Sequence, residues 1–392
     1  MTGLVWAFRA AGHEVRVAAQ PDLLDAVLET GAVAVSVGGK YDMMSGVADL
    51  IKIRNELAEQ YDLSRPDGCP PDVQQKLREL RMMPLIEAAE DMAEDLATFS
   101  RKWSPDLVIS DPLIYAAPLA AEAAGAPLVR HLWGPDNCRF LGMPGTGLTC
   151  EDDPRACWPE RMVRLYELYG VKPQADMATR TLDACPASMQ VAGVPNRIPV
   201  RYTPYNGAVT MPPWVLDPPE RTRICVTWGS ASTVLRGAEA FGVPRVLQAL
   251  TGLGLDVIIA IRAADHARLG PLPSGMRVVE DMPLDLILPT CRAVIHQSGG
   301  GTMFAAAYYG VPQVTIPQGI DQELVCDRLF LTGASIPLKG EQADVDGIRA
   351  AALTILSTDG PAAAAERLRE EILAMPAPAE IVAPLEKLAD QR

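Results

Sequence analysis

The stretch Ala293–Gln322, AVIHQSGGGTMFAAAYYGVPQVTIPQGIDQ, decides how this chain is read. Ala293–Ile295 is a short apolar run with the character of a buried strand end, followed by His296 and by Ser298-Gly299-Gly300-Gly301-Thr302. Met303–Tyr309 is Ala-rich and helix-forming, and Gly310-Val311-Pro312 stops it. A strand that turns through glycines into a helix leaves unpaired backbone N–H groups at the helix N-terminus. With the helix dipole they form an anion site, for which phosphate is the usual guest, and glycines let it approach the backbone closely. A tight strand–helix turn with no ligand has much the same local sequence. The next loop separates the two readings. The apolar run Val314–Ile316 leads into Pro317-Gln318-Gly319-Ile320-Asp321-Gln322. In a parallel sheet both loops lie at the carboxyl ends of neighbouring strands, where open α/β sheets bind ligands. A phosphate at the first loop, with Gln318, Asp321 and Gln322 at the second, suits a nucleotide-linked sugar whose hydroxyls bond to Asp321 and Gln322.

Outward from this stretch, strand–helix alternation occurs in two series. The first uses Glu14–Ala19, Ala32–Val37, Asp106–Ser110 and Pro127–Trp133 as strands. The second opens at Arg223 and uses Ile224–Trp228, Leu255–Ile261, Met276–Val279 and the central stretch. Between them Asn206–Glu220, with Pro212-Pro213 and Pro218-Pro219, reads as a linker. The expected fold class is therefore α/β, with two Rossmann-like domains of parallel sheet facing across a cleft. The expected boundaries are 1–205, 206–220, 221–376 and a last helix over 377–392. The 392 residues suit two ordinary domains, and 48% hydrophobic residues suffice for two cores. A net charge of −14 argues against a nucleic-acid surface. There is no apolar run of membrane-spanning length and no signal peptide, so a cytoplasmic protein is expected. The eight cysteines form no CxxC pair and read as reduced thiols; with four dispersed histidines and no HExxH, no metal site is expected.

Three features of the first series bear on function. Asp111 ends the strand-like run DLVIS, before Pro112 and the expected helix Leu113–Ala124. It suits both a helix N-cap and a site residue. His131 and Trp133 fall at the carboxyl end of the next strand; Trp133 offers an apolar platform for a planar polycyclic acceptor, and His131 is a candidate base. The polar segment 38–71 and the helical stretch 72–101 are long enough for acceptor contacts. Asp176–Ala184 is expected to be helical. Met1–Ala11 reads as a helix, so the chain opens inside an αβ series with no strand before it.

These motifs resemble those of the bacterial GT-B glycosyltransferases that attach deoxysugars to polyketides and related natural products. That family's stretch runs close to HHGGAGT, GVPQ and DQ. Here it stands as His296-Gln297-Ser298-Gly299-Gly300-Gly301-Thr302, Gly310-Val311-Pro312-Gln313 and Asp321-Gln322. The resemblance covers nearly the whole chain and implies the GT-B fold, with the final helix crossing back onto the first domain. It implies a metal-independent inverting transfer from a nucleoside diphosphate, dTDP, to a hydrophobic polycyclic or macrocyclic acceptor, with no cofactor beyond the nucleotide-sugar. Ser230 is expected to face the donor phosphate. Val279 and Met282 lie near the nucleobase, partly through backbone groups. The His296 imidazole, Gly299, the N–H groups of Gly300 and Gly301, and Thr302 hold the diphosphate. Asp111 is expected to orient a histidine base that the family carries in the first strand-turn, a segment without counterpart here. Either Met1 aligns with an internal position or the protein is a divergent relative. An auxiliary protein and a homodimer are left open as partners, and the bond formed is undetermined. The alternatives are a GT-B nucleotide-sugar epimerase and a non-catalytic relative without its base.

Overall fold

Residues 1–39, 41–63, 68–229 and 237–391 are described by a computed structural model of the chain. In chain order the helices are α1 (Thr2–Ala10), α2 (Leu24–Glu29), α3 (Met43–Ala58), α4 (Pro71–Trp103), α5 (Ala117–Ala124), α6 (Asn137–Phe140) and α7 (Glu160–Leu168). After residue 220 come α8 (Val243–Leu250), α9 (Leu284–Ile287), α10 (Gly300–Tyr308), α11 (Ile320–Leu331), α12 (Val345–Ser357), α13 (Asp359–Ala374) and α14 (Pro378–Ala389). No helix among the described residues is long and apolar enough to cross a membrane.

The C-terminal half holds one six-stranded parallel sheet in the order β12-β11-β10-β7-β8-β9. Its strands are β7 (Arg223–Thr227), β8 (Asp256–Ile261), β9 (Met276–Glu280), β10 (Ala293–His296), β11 (Gln313–Thr315) and β12 (Ser335–Pro337). The central strands read as unbroken apolar runs because both faces are covered, as parallel sheets require. Ile224, Val226, Ile259 and Ile295 face one core with α8 and α12, and Cys225, Ile258 and Val294 face the other with α9 and α10.

The N-terminal half is built differently. β1 (Arg16–Ala19) and β2 (Val33–Ser36) pair only with each other. β3 (Val108–Ser110), β4 (Leu128–Leu132), β5 (Arg180–Asp183) and β6 (Arg197–Pro199) form a separate four-stranded parallel sheet. The 33-residue α4 covers this half: Met82, Ile86, Ala89 and Met92 pack against Leu119, Met162 and Tyr166. Its Asp91 and Asp95 carboxylates accept hydrogen bonds from the N–H groups of Gly39 and Gly38, fixing the turn after β2.

Three sequence expectations need correction here. Residues 180–183 are the strand β5, not helix: flanked by β4 and β6 in register, the segment gains two ladders that outweigh the helical preference of its Ala and Met neighbours. The helix after Asp111 starts only at Ala117, so Asp111 does not cap it. Cys150 and Cys157 form a disulfide, with Cα atoms 4.8 Å apart in the loop before α7, so these two are not reduced thiols.

α14 returns to the N-terminal half. Ile381, Leu385 and Leu388 pack on Leu4, Val129, Leu182 and Val200, and Glu386 meets His13 at 2.7 Å. The two halves also share a core in which Cys185 and Met189 pack among Met303, Phe304, Val325 and Leu368.

Candidate donor site at the carboxyl ends of the six-stranded sheet

β7, β10 and β11 are neighbours and parallel, so Gly229, the Gln297–Gly299 turn and the Pro317–Gly319 turn emerge side by side. α10 begins directly after this turn. Gly299 is its N-cap, no side chain caps it, and Gly301 at its first turn is exposed. The first N–H groups of α10 are thus open to a ligand, and three consecutive glycines keep β-carbons out of the approach.

His296 is placed differently from expectation. Its side chain is 0% exposed. Nε2 lies 2.8 Å from the Gln313 Oε1, and Nδ1 accepts from the Ser298 N–H at 3.1 Å. Gln313 in turn donates to the Met303 carbonyl in the first turn of α10. Nδ1 as acceptor leaves the proton on Nε2, so the ring is neutral and both nitrogens are used. Burial lowers its pKa to about 4 in spite of the Gln313 bond. The imidazole is enclosed within the protein. It ties β10 to β11 and holds the Ser298 turn, where a non-glycine residue sits at φ 68°. Its place follows from strand alternation: His296 shares the face of Val294, which α10 covers.

Gln297 occupies the neighbouring position. It is 4% exposed, and its Oε1 has no hydrogen-bond partner among the described residues. Its Nε2 lies against two glycines. A β-carbon on Gly229 would meet it at 2.2 Å and one on Gly299 at 3.2 Å. The Ser298 hydroxyl and the Gln318 Oε1 are likewise buried without partners. Unpaired buried polar atoms are costly; the two amide oxygens can only accept, and of the three the Ser298 hydroxyl alone could donate to an anion. Gln297 was missed in the sequence because the family pattern directs attention to His296; strand parity is the signal that would have found it.

The remaining expected donor residues divide. Asp321 is exposed in the first turn of α11. Gln322 accepts from the Gln318 N–H at 2.9 Å, and the Gln318 amide donates to the Ala240 carbonyl at 2.7 Å, so both side chains also shape the loop. Val279 is 7% exposed and packs into the core with Ile258 and Leu284; Met282 is half-buried beside it. Ser230 lies outside the described residues.

The N-terminal half approaches this mouth through Trp133 and through Tyr202, whose hydroxyl points at the Gly301 carbonyl at 3.5 Å. A β-carbon on Gly300 would lie 3.4 Å from the Trp133 carbonyl oxygen and 3.6 Å from its ring. Trp133 is half-buried at the end of β4. His131 is on β4, and burial lowers its pKa to about 3. Asp111 accepts from the Leu113 N–H at 2.8 Å, and burial raises its carboxyl above the ordinary range. A cavity of about 40 Å³ below Asp111, walled by Tyr115, Arg130 and Tyr166, has room for water but not for a polycyclic molecule.

Two facing α/β halves, a returning C-terminal helix and a glycine mouth at the sheet's carboxyl edge define the GT-B class. The comparisons agree. The spinosyn rhamnosyltransferase SpnG, solved with thymidine diphosphate and with spinosyn aglycone, superposes with a TM-score of 0.79 at 29% identity, covering 98% of this chain and 95% of that one. Sequence profiles described as erythromycin biosynthesis protein CIII-like match residues 6–229 (N-terminal domain) and 244–388 (C-terminal domain). The chain belongs to this EryCIII-like family. It is 32% identical to the tylactone mycaminosyltransferase of Streptomyces fradiae, over 98% of this chain and 88% of that protein. It is 33% identical to the aklavinone 7-beta-L-rhodosaminyltransferase of Streptomyces galilaeus, over 99% and 92%.

Proposed function

We propose that the protein is an inverting glycosyltransferase that moves a deoxysugar from thymidine diphosphate to a hydroxyl of a polyketide aglycone, macrocyclic or polycyclic. The carrying observation is the uncapped, glycine-lined start of α10, beside which the Gln297 Nε2 lies against Gly229 and Gly299. The relatives' names, a macrolactone and an anthracycline sugar transferase, and the thymidine diphosphate held by SpnG support the substrate class.

In this reading the α10 N–H groups of Gly300, Gly301 and Thr302 and the Gln297 amide N–H take the charge that builds on the departing diphosphate. They perform by fixed dipoles what a metal does in other transferases. Gly299 keeps the entrance open. Asp321 and the backbone of the Gln318–Gln322 turn orient the sugar, and Met282 borders the nucleobase. The acceptor lies against Trp133. As the acceptor oxygen bonds to the anomeric carbon, the bond from that carbon to the diphosphate oxygen breaks, and the acceptor proton passes to the Asp111 carboxylate, whose proton affinity burial raises. One displacement inverts the anomeric centre.

The test is titration calorimetry with thymidine diphosphate on the wild type and on Gly300→Val, whose side chain would fill the mouth against Trp133. The wild type is expected to bind, and the variant to lose about 100-fold or more in affinity and in kcat/KM, the scale of a lost oxyanion site. Equal binding by the two proteins would overturn the reading.

A further inference from the structure

Arg328 stands seven residues after Asp321 on α11, two turns along the same face. Its guanidinium crosses to the other half of the molecule: Nε donates to the Met189 carbonyl at 2.7 Å and Nη2 to the Gln190 carbonyl at 2.5 Å. The Gln190 side chain is 7% exposed and fully used. Its Oε1 accepts from the Asp136 N–H at 2.8 Å and the Val191 N–H at 2.7 Å. Its Nε2 donates to both Asp183 carboxylate oxygens, at 3.0 and 2.9 Å, and points at the Gly134 carbonyl at 3.5 Å. Asp183 is itself 0% exposed and anchored by Arg197 and the Cys185 N–H. Gly134 and Asp136 flank the turn that follows Trp133, and Asp136 caps α6 through the Arg139 N–H.

The chain of bonds therefore runs from the helix that opens with Asp321, through Arg328 and Gln190, to the turn holding Trp133 against Gly300. Neither residue touches the glycine mouth or the expected acceptor face. The same 184–191 segment also docks on the other half through Cys185 and Met189 in the shared apolar core and through Ser188 with Glu371, and Arg201 adds a bond to the Leu373 carbonyl. A half-buried arginine spent on two carbonyls, with a buried amide behind them that makes every bond open to it, is more than docking requires.

We propose that Arg328 and Gln190 are positioning residues: they latch the Gly134–Asp136 turn to α11, so that the donor helix sets the place of Trp133. This rests on the glycosyltransferase reading only for its catalytic consequence; the latch itself is a structural relation. α11 moving on donor binding carries the turn with it, and the acceptor face is completed only when the donor helix is seated.

Arg328→Ala removes both bonds to the carbonyls, and Arg328→Lys keeps one donor and the charge. Three measurements separate the outcomes. Backbone hydrogen exchange in the full-length protein should speed up by about tenfold or more over residues 134–140 in Arg328→Ala, and by less in Arg328→Lys. Calorimetry should give thymidine diphosphate affinity within about twofold of wild type. With a sugar nucleotide and an aglycone, kcat/KM for the acceptor should fall by about 10- to 100-fold, with the lysine variant intermediate. Unchanged exchange over 134–140, with loosening confined to 184–191, would reduce Arg328 to a docking contact and overturn the proposal. Loss of diphosphate affinity in parallel with turnover would overturn it too. If Arg328→Ala does not fold, the exchange of Arg328→Lys decides. A wild type that does not bind thymidine diphosphate would remove the proposed function and leave the exchange result to judge the latch.

Discussion

The two halves use the same αβ alternation and differ in one respect: six strands are continuous in one, while two and four stand apart in the other. In the six-stranded half, β10 is buried along its whole length, and the glycine mouth and the Gln318–Gln322 turn hang from the ends of the adjacent strands β10 and β11. In the split half, β1 to β3 are mostly half-buried, α2 has no buried residue, and the turns are held by side chains reaching from α4. A continuous sheet fixes loop positions through its ladders. A divided one has to fix them by individual bonds, each of which a single substitution can remove.

The largest expected effect tests the continuous half through its protons. His296 has its pKa lowered to about 4 against an ordinary value near 6.5. The unfolded chain then binds the proton that the folded one refuses, so the stability contribution is complete above pH 6.5 and is lost as pH falls from 6.5 to 4. The span corresponds to about 3 kcal/mol. Melting temperature measured across that window should fall steeply for the wild type, and His296→Asn should flatten part of the slope, the remainder including that of His131, whose pKa is lowered to about 3. A wild-type curve level between pH 7 and 4.5 would show that the imidazole is not sealed under α10.

Next in size is Gln313→Leu, which strands the buried His296 Nε2–H and the Met303 carbonyl. It should cost about 1–3 kcal/mol in chemical denaturation, the penalty for a buried polar group left unpaired. The loss should be accompanied by weaker binding of thymidine diphosphate, since the Ser298 turn depends on the same ring. Stability lost with binding intact would separate the strand ends from the mouth and weaken the claim that ladders position the site.

The smallest effect belongs to the split half. Gly38 has φ +67°, and a β-carbon there would meet the Asp91 carboxylate at 2.6 Å. Gly38→Ala should cost about 1 kcal/mol. Its mark should fall on acceptor KM while diphosphate affinity stays within error, if each half serves its own substrate. Equal damage to both substrates would mean that the split half is braced as firmly as the other.

The asymmetry also explains what could be read in advance. The glycine mouth and its place at a strand's carboxyl end follow from local sequence, because strand, turn and helix are consecutive there. The facing of His296 was misjudged because the motif was weighed as a set of residue types, while burial depends on which face α10 covers. β5 was read as helix because its strand character comes from neighbours far away in sequence. The three-residue strand β12 passed unnoticed for the same reason, and Cys150 and Cys157 meet through a loop whose path depends on Arg81 bonding the carbonyls of Leu141, Gly142 and Arg155. Arg328 and Gln190 carry no motif at all; their role exists only once the two halves face each other.

The close approach of Trp133 to Gly300 has a consequence for recombination among relatives. Halves exchanged between two such proteins must fit where the indole faces position 300, at a separation that a methyl group already fills to ordinary contact. A donor half carrying alanine there would still seat against the indole, whereas a branched residue would need a smaller ring opposite it, so that pair would have to be inherited together, whatever sugar or aglycone the hybrid was meant to join.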